Sequence, residues 1–425
     1  MRGAGRFGRL VGALMGVSSY GRALWARAAN DGPSAETLLR AGRFAEAEHA
    51  FRQRAEARPR DARPLVALGH LALMRDDLPK AEAHLKQALT LARKHKGAQA
   101  LLAEAHYRRD DFGAAAKLYE AVGRRPVAEK LRSFAGRRPY TLEGAATARL
   151  PFVRREPLPV VKARVNGADE AHFLVDTGGG ELILDASFAQ KICATRFGSE
   201  RGSFGGGTQA AFAHGAVDSV ALGDLTVRRV PVHIMDLQPM GAAVGEPGLA
   251  GIIGTVLFYR LRVTIDYPGE NLVLRRRDAP ADANEARGIE VPFGMADDHY
   301  MVAEGTFNDG SPLLFLVDTG LGGAAFTCPP STLRAVGIDL RSAPRGEGSV
   351  PGGVIGVQSF DVATLTLGAA RREHLRGIAG AFPPQIEWGF GFRIGGLISH
   401  QFFLPYAVTF DFATMLIRLV PGPGG

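Results

Sequence analysis

The hexapeptide Phe-Leu-Val-Asp-Thr-Gly occurs twice in this chain, at Phe173–Gly178 and again at Phe315–Gly320. Nothing else in the sequence constrains the fold as much. Alone, each copy is an apolar strand running into a tight turn, because Asp and Gly are turn residues. As a pair, they raise a second reading in which the two aspartates act together. After residue 158, short Val, Ile, Leu, Phe and Thr runs alternate with Gly, Asn-Gly and Asp-Gly, which is a β pattern. That pattern is itself duplicated. Asp176 and Asp318 are offset by 142 residues, while Val263 in "VTIDY" and Val408 in "VTFDF" are offset by 145. A net insertion of three residues over most of a lobe is what two copies of one fold leave behind. Asn166-Gly167 and Asp309-Gly310 precede the two hexapeptides as hairpin turns.

A different periodicity fills residues 34–133, which are rich in Ala, Leu, Arg and Glu. Ala35, Gly69 and Ala103 stand 34 apart, as do Phe44, Leu78 and Phe112. Ala47, Ala81 and Ala115 follow, and then Phe51, Leu85 and Tyr119. Small residues recur where two helices approach closely, and large apolar ones where the pair buries its seam. This 34-residue helix-turn-helix unit resembles the tetratricopeptide repeat, with three units of which the outer two are degenerate. An irregular helical bundle is the plainer alternative. Arrays of this kind bind a peptide or a partner protein on a concave surface. Residues 137–157 carry Pro139, Pro151 and Pro157 and read as a linker or first edge strand.

The charge divides in the same way. Residues 1–140 hold 27 Lys and Arg against 14 Asp and Glu, a balance of +13; the remainder holds 24 against 29, a balance of −5. The arginines are scattered among acids, which favours solvated helix faces and argues against nucleic-acid binding. Residues 1–30 place Arg2, Arg6 and Arg9 before a short apolar stretch and an Ala26-x-Ala28 site, the layout of a secretory signal. Export to a bacterial periplasm or envelope, with a peripheral membrane contact, is one expectation. A basic, disordered or amphipathic leader of a cytoplasmic protein is the other.

Each β copy resembles one lobe of the pepsin and retroviral-protease superfamily of aspartic proteases. "LVDTG" matches the strand that carries the aspartate. "GSFGGG" at Gly202–Gly207 and "GEGSVPGG" at Gly346–Gly353 sit where a flap hairpin belongs. Ile252-Ile253-Gly254 and Leu397-Ile398-Ser399 match the later supporting strand, the second with Ser in place of Gly. The resemblance implies a multidomain chain: an all-α tetratricopeptide-like solenoid, then two all-β retropepsin-like lobes, 158–278 and 288–421, forming a pseudo-dimer. It implies an Asp176/Asp318 dyad that hydrolyses peptide bonds with an activated water and no cofactor. It also implies that Thr177 and Thr319 hydrogen-bond across the interface, that Gly178 and Gly320 permit the turn beside each carboxylate, and that Gly205, Gly206, Gly207, Gly352 and Gly353 form the flaps over a polypeptide substrate. Leu321, where the family has Ala or Ser, is expected to crowd the second aspartate.

Two other readings stay open. One is a non-catalytic peptide-binding scaffold that keeps the fold; the other pairs lobes between chains. No metal is expected, because the eleven histidines show neither H-x-x-x-H nor H-E-x-x-H spacing. There is no G-x-S-x-G elbow or phosphate loop. His214, His233 and His400 read as isolated structural or surface residues, and Asp266 and Asp411 as turn or ladder residues. Cys193 and Cys328 occupy inequivalent positions and read as two free, buried thiols, a disulfide being the alternative.

Overall fold

The computed structural model describes residues 10–11, 33–280 and 287–422. Among the described residues, seven helices follow the short strand Leu10–Val11: α1 (Ala35–Arg40), α2 (Phe44–Ala57), α3 (Ala62–Met74), α4 (Leu78–Leu91), α5 (Lys96–Arg108), α6 (Phe112–Ala121) and α7 (Arg125–Arg132). The 34-residue period is visible in the starts of α2, α4 and α6. Local chemistry explains it. Asp76 and Asp110 both take left-handed backbone, and the next residue in each case, Asp77 or Asp111, caps the following helix through its carboxylate. The small residues at the helix crossings are buried, and a Cβ on Gly69 would lie 2.6 Å from Leu85.

The β region follows as an eight-stranded and a fourteen-stranded sheet. In each half the hexapeptide strand lies beside the later apolar strand in parallel. Ala171–Val175 pairs with Gly251–Ile253, and Leu313–Asp318 pairs with Gly396–Ser399. The two halves meet in one continuous stretch of sheet, where Leu261–Asp266 runs antiparallel to Tyr406–Asp411. Thr264 faces Thr409 there, their hydroxyls 2.8 Å apart. These are the equivalent threonines of "VTIDY" and "VTFDF".

The helical region packs on both halves. Its α1–α3 face shares an apolar cluster with Tyr300, Leu316 and Leu321, while α5–α7 share one with the first-half sheet. The Asp turns of the repeat also reach across: the Tyr259 hydroxyl donates to Asp76 (2.7 Å) and Arg260 to Asp110 (2.5 Å). The proline-rich 137–157 segment is not a free linker. Thr141–Gly144 edges the smaller sheet, and Thr147–Pro151 edges the larger one. Pro151 is tolerated because an edge strand leaves one side of its backbone unpaired, and Pro139 and Pro157 lie outside the strands. Leu10–Val11 pairs in parallel with Arg345–Val350; the rest of the expected leader lies outside the described residues. Among the described residues no helix is long and apolar enough to cross a membrane.

Candidate active site

Asp176 and Asp318 end equivalent strands and meet at the boundary between the halves. Each carboxylate accepts a hydrogen bond from the glycine two residues on, Gly178 N–H to Asp176 and Gly320 N–H to Asp318, both at 2.7 Å. The two carboxyls lie within hydrogen-bonding reach of one another, and both residues are 1% exposed. The glycines are needed for this approach. A Cβ on Gly178 would collide with the Asp318 carboxyl, and one on Gly320 with that of Asp176.

The threonines fix the two loops to each other. Thr177 N–H donates to the Thr319 hydroxyl (3.1 Å), and Thr319 N–H donates to the Thr177 hydroxyl (3.0 Å). Thr177 also donates to the Val317 carbonyl across the boundary. These bonds are buried, where an unmade partner costs about 1–3 kcal/mol, so the loops are coupled as one unit.

Burial pushes the Asp176 carboxyl well above the ordinary carboxylate range, and the Asp318 charge beside it pushes it further. Burial raises Asp318 as well, while the Gly320 N–H, the hydrogen bond with Asp176 and the charge on His299 pull it back. Two carboxyls this close cannot both ionise at once, the behaviour known for aspartic protease dyads. Asp318 Oδ2 is buried and has no hydrogen-bond partner among the described residues, a need that a proton shared with Asp176 would meet. Such a pair titrates as a unit.

The supporting strands differ in one informative way. In the first half, Thr255 N–H donates to the Gly179 carbonyl and its hydroxyl to the Thr177 carbonyl. In the second half, Ser399 stands where the first has Gly254. Its hydroxyl donates to the Asp318 and Leu321 carbonyls and accepts from Leu321 N–H. The Ser-for-Gly change thus adds ties to the second aspartate's loop. Leu321 is buried in the apolar cluster that also contains Val357, Ile378 and Phe390.

The glycine-rich hairpins are present in both halves. Gly205–Gly207 is a short turn at the tip of Thr195–Ser203 and Gln209–Leu222. Gly352 and Gly353 join Arg345–Val350 to the next strand with φ of +92° and +140°, conformations that glycine adopts freely. The tips touch. The Thr208 hydroxyl donates to the Pro351 carbonyl (2.7 Å), and Gly206 N–H donates at 2.8 Å to the carbonyl of Ala381, which follows the strand Ala370–Ala379.

Several secondary residues sit differently from expectation. His214 and His233 are not isolated; they face each other on adjacent strands, rings 5.1 Å apart, under α7. Both cysteines are free, but Cys193 is exposed. It falls just after the helix Ala186–Lys191 in a left-handed conformation (φ 53°) that closes the helix end. Asp411 binds the Ala413 and Thr414 amides and meets Arg262 and Arg418 at 3.3 Å, a turn and ladder role. Sequence reasoning passed over Glu181 and His299, both buried beside the first loop. Glu181 meets Lys130 of α7, with Nζ 2.6 Å from both carboxylate oxygens, and accepts from the Tyr107 hydroxyl of α5 at 2.6 Å. The only signal for His299 was arithmetic: subtracting the 142-residue offset lands on Pro157.

Residues 161–256 match a family model described as aspartyl protease. That span contains the first Asp-Thr-Gly, its glycine-rich hairpin and Gly251–Ile253. The second copy of each lies beyond it. An aspartyl protease domain supports peptidase chemistry and implies a polypeptide substrate. No curated protein matches the chain.

Proposed function

We propose that the chain is an aspartic endopeptidase whose two β halves form an intramolecular pseudo-dimer around one Asp176/Asp318 dyad. One observation carries the reading: two equivalent carboxyls, 142 residues apart in sequence, lie within hydrogen-bonding reach on loops tied by reciprocal threonine bonds. One carboxyl of the pair, assigned here as Asp318, is the carboxylate that takes a proton from water. Asp176, which burial and its neighbour keep protonated, donates to the carbonyl oxygen as the tetrahedral intermediate forms. As the C–N bond breaks, the proton gained by Asp318 passes to the leaving amine while Asp176 takes a proton back from a hydroxyl of the tetrahedral intermediate, which leaves as the new carboxyl group, so the dyad returns to its singly protonated state. The glycine-rich hairpins part to admit an extended peptide and close to exclude water. The helical region is read as a tetratricopeptide-like array that also recruits substrate or a partner, and the leader as an export signal to the envelope.

The test is Asp176→Asn and Asp318→Asn, each assayed with wild type on a mixed peptide library from about pH 4 to 7. Wild type should cleave, and both variants should lose cleavage. A wild type that cleaves nothing and binds no pepstatin-like inhibitor refutes the enzyme. Loss in only one variant refutes the shared dyad.

A further inference from the structure

The two catalytic loops are covered reciprocally, and the covers differ. Gly180 and Gly322 are equivalent, each four residues past its aspartate. A Cβ on Gly322 would meet the Pro157 carbonyl at 2.9 Å and Leu158 at 3.3 Å. A Cβ on Gly180 would meet His299 Nδ1 at 3.2 Å. Pro157 and His299 are themselves 142 apart, so each half lends the same position to the other half's loop. One cover is Pro-Leu, and the other is a histidine held by a carboxylate.

We propose that His299 is a positioning residue that makes the two aspartates inequivalent: lodged against the first Asp-Thr-Gly loop and held by Asp298, its imidazolium turns positive charge toward Asp318 and keeps that partner the carboxylate. This rests on the protease reading for its consequence in catalysis, though not for its electrostatics. His299 is 3% exposed, hydrogen-bonded through Nδ1 to Asp298, and tilted by 38° against Tyr300 with ring centres 3.9 Å apart. Its Nε2 is buried and has no protein partner within hydrogen-bonding geometry. A buried ring with so little solvent gains from charge only where anions face it.

Those anions are present. Asp298 and Asp297 come from its own turn, the Gly178 carbonyl also favours the protonated ring, and together they outweigh the cost of burial and raise His299 above the ordinary imidazole value. Gly180, against which the ring lies, is two residues from Gly178, whose Cβ would collide with the Asp318 carboxyl, so the ring and that carboxyl flank the same short loop and the charge on His299 opposes the rise of Asp318. Other groups face this cluster. Arg124, beside α7, and His233 act on Asp298, while Arg108 of α5 donates to the Asp297 carbonyl and pairs with Glu104. On the other loop, His400 Nε2 lies 3.1 Å from Glu156.

The experiment follows the aspartate carboxyl carbons by NMR in full-length protein labelled with [4-13C]Asp, with Asp176→Asn and Asp318→Asn assigning the dyad signals. In wild type the Asp318 carbon should show a second, smaller inflection where His299 titrates. In His299→Gln, which removes the charge, the lower step of the dyad should rise by roughly one pH unit, the size expected for a unit charge one loop away. His299→Lys, which restores a charge, should bring it back. The acid limb of kcat/KM should move with the lower step. A wild-type Asp318 signal with no second inflection overturns the proposal, and so does a lower step that is the same in His299→Gln. A uniform fall in rate with an unmoved acid limb marks a packing role only and also overturns it. Because the carbon titration needs no turnover, an inactive wild type refutes the protease reading without touching this one.

Discussion

Replacing Lys130 by Met tests whether the helical region is an integral part of the β region's fold or an appended module. Lys130 is 1% exposed and Glu181 is 5% exposed. The ammonium lies 2.6 Å from both Glu181 oxygens, and Glu181 comes five residues after Asp176. Met fills the volume of the lysine stem but leaves a buried carboxylate whose remaining partners are the Tyr107 hydroxyl at 2.6 Å and His233 at 3.5 Å. Breaking a buried ion pair from one side costs about 3–5 kcal/mol, which is roughly a hundred- to several-thousand-fold in the unfolding equilibrium. Adding Glu181→Gln removes the stranded charge yet keeps an acceptor for Tyr107. The double variant should therefore recover most of the loss, with a coupling of at least about 2 kcal/mol. Urea unfolding followed by circular dichroism on wild type, both single variants and the double closes the cycle. A Lys130→Met cost below about 1 kcal/mol, the size of an exposed pair, would refute the argument. Glu181 would then be solvated and the helices only loosely docked.

Other consequences are simpler to read. Gly320→Ala pushes a methyl into the Asp176 carboxyl, so peptide cleavage should vanish while the far-ultraviolet circular dichroism is unchanged; ordinary turnover in this variant would contradict the close approach of the loops. Ser399→Ala strips the hydroxyl from two carbonyls and one amide of the second loop, and thermal unfolding should report a loss of about 1–3 kcal/mol; a neutral result would mean that water replaces the hydroxyl. Burial first, and then the Lys130 charge, depress the imidazoles of His214 and His233. The unfolded chain binds these protons below about pH 6.5 and the native one does not. Stability is therefore present above that value and falls as the pH drops through and below it. In His214→Gln/His233→Gln the fall in unfolding midpoint between pH 7 and 5 should shrink; an identical slope would exclude these two residues as its source.

Much of this was readable from the chain because it is written in short-range, repeated patterns. The 34-residue period of Ala47, Ala81 and Ala115 reports a helix crossing, where anything larger would collide. The duplicated Asp-Thr-Gly reports a strand and turn, and the matching offsets of Asp176/Asp318 and Val263/Val408 report a duplicated β pattern. Thr264 and Thr409 do meet across the sheet. Even the Ser399 departure was visible as a departure, though its gain of hydrogen bonds was not.

What the sequence determined by itself is thus the local alphabet: which residues turn, which face a core, and that the same unit appears twice. Only the tertiary structure decided which distant residues share a buried site. Lys130 and Glu181 are separated by 51 residues of chain and belong to different patterns. His299 and Gly180 belong to opposite halves. Lys, Glu and His have no periodic signature, and each is ordinarily found in water. Their burial is stable because a specific partner of opposite charge or matching hydrogen bond arrives from another element. A one-dimensional pattern records the spacing of like residues, but it holds no trace of a pairing between unlike ones that forms only when helices and both β halves close on one another.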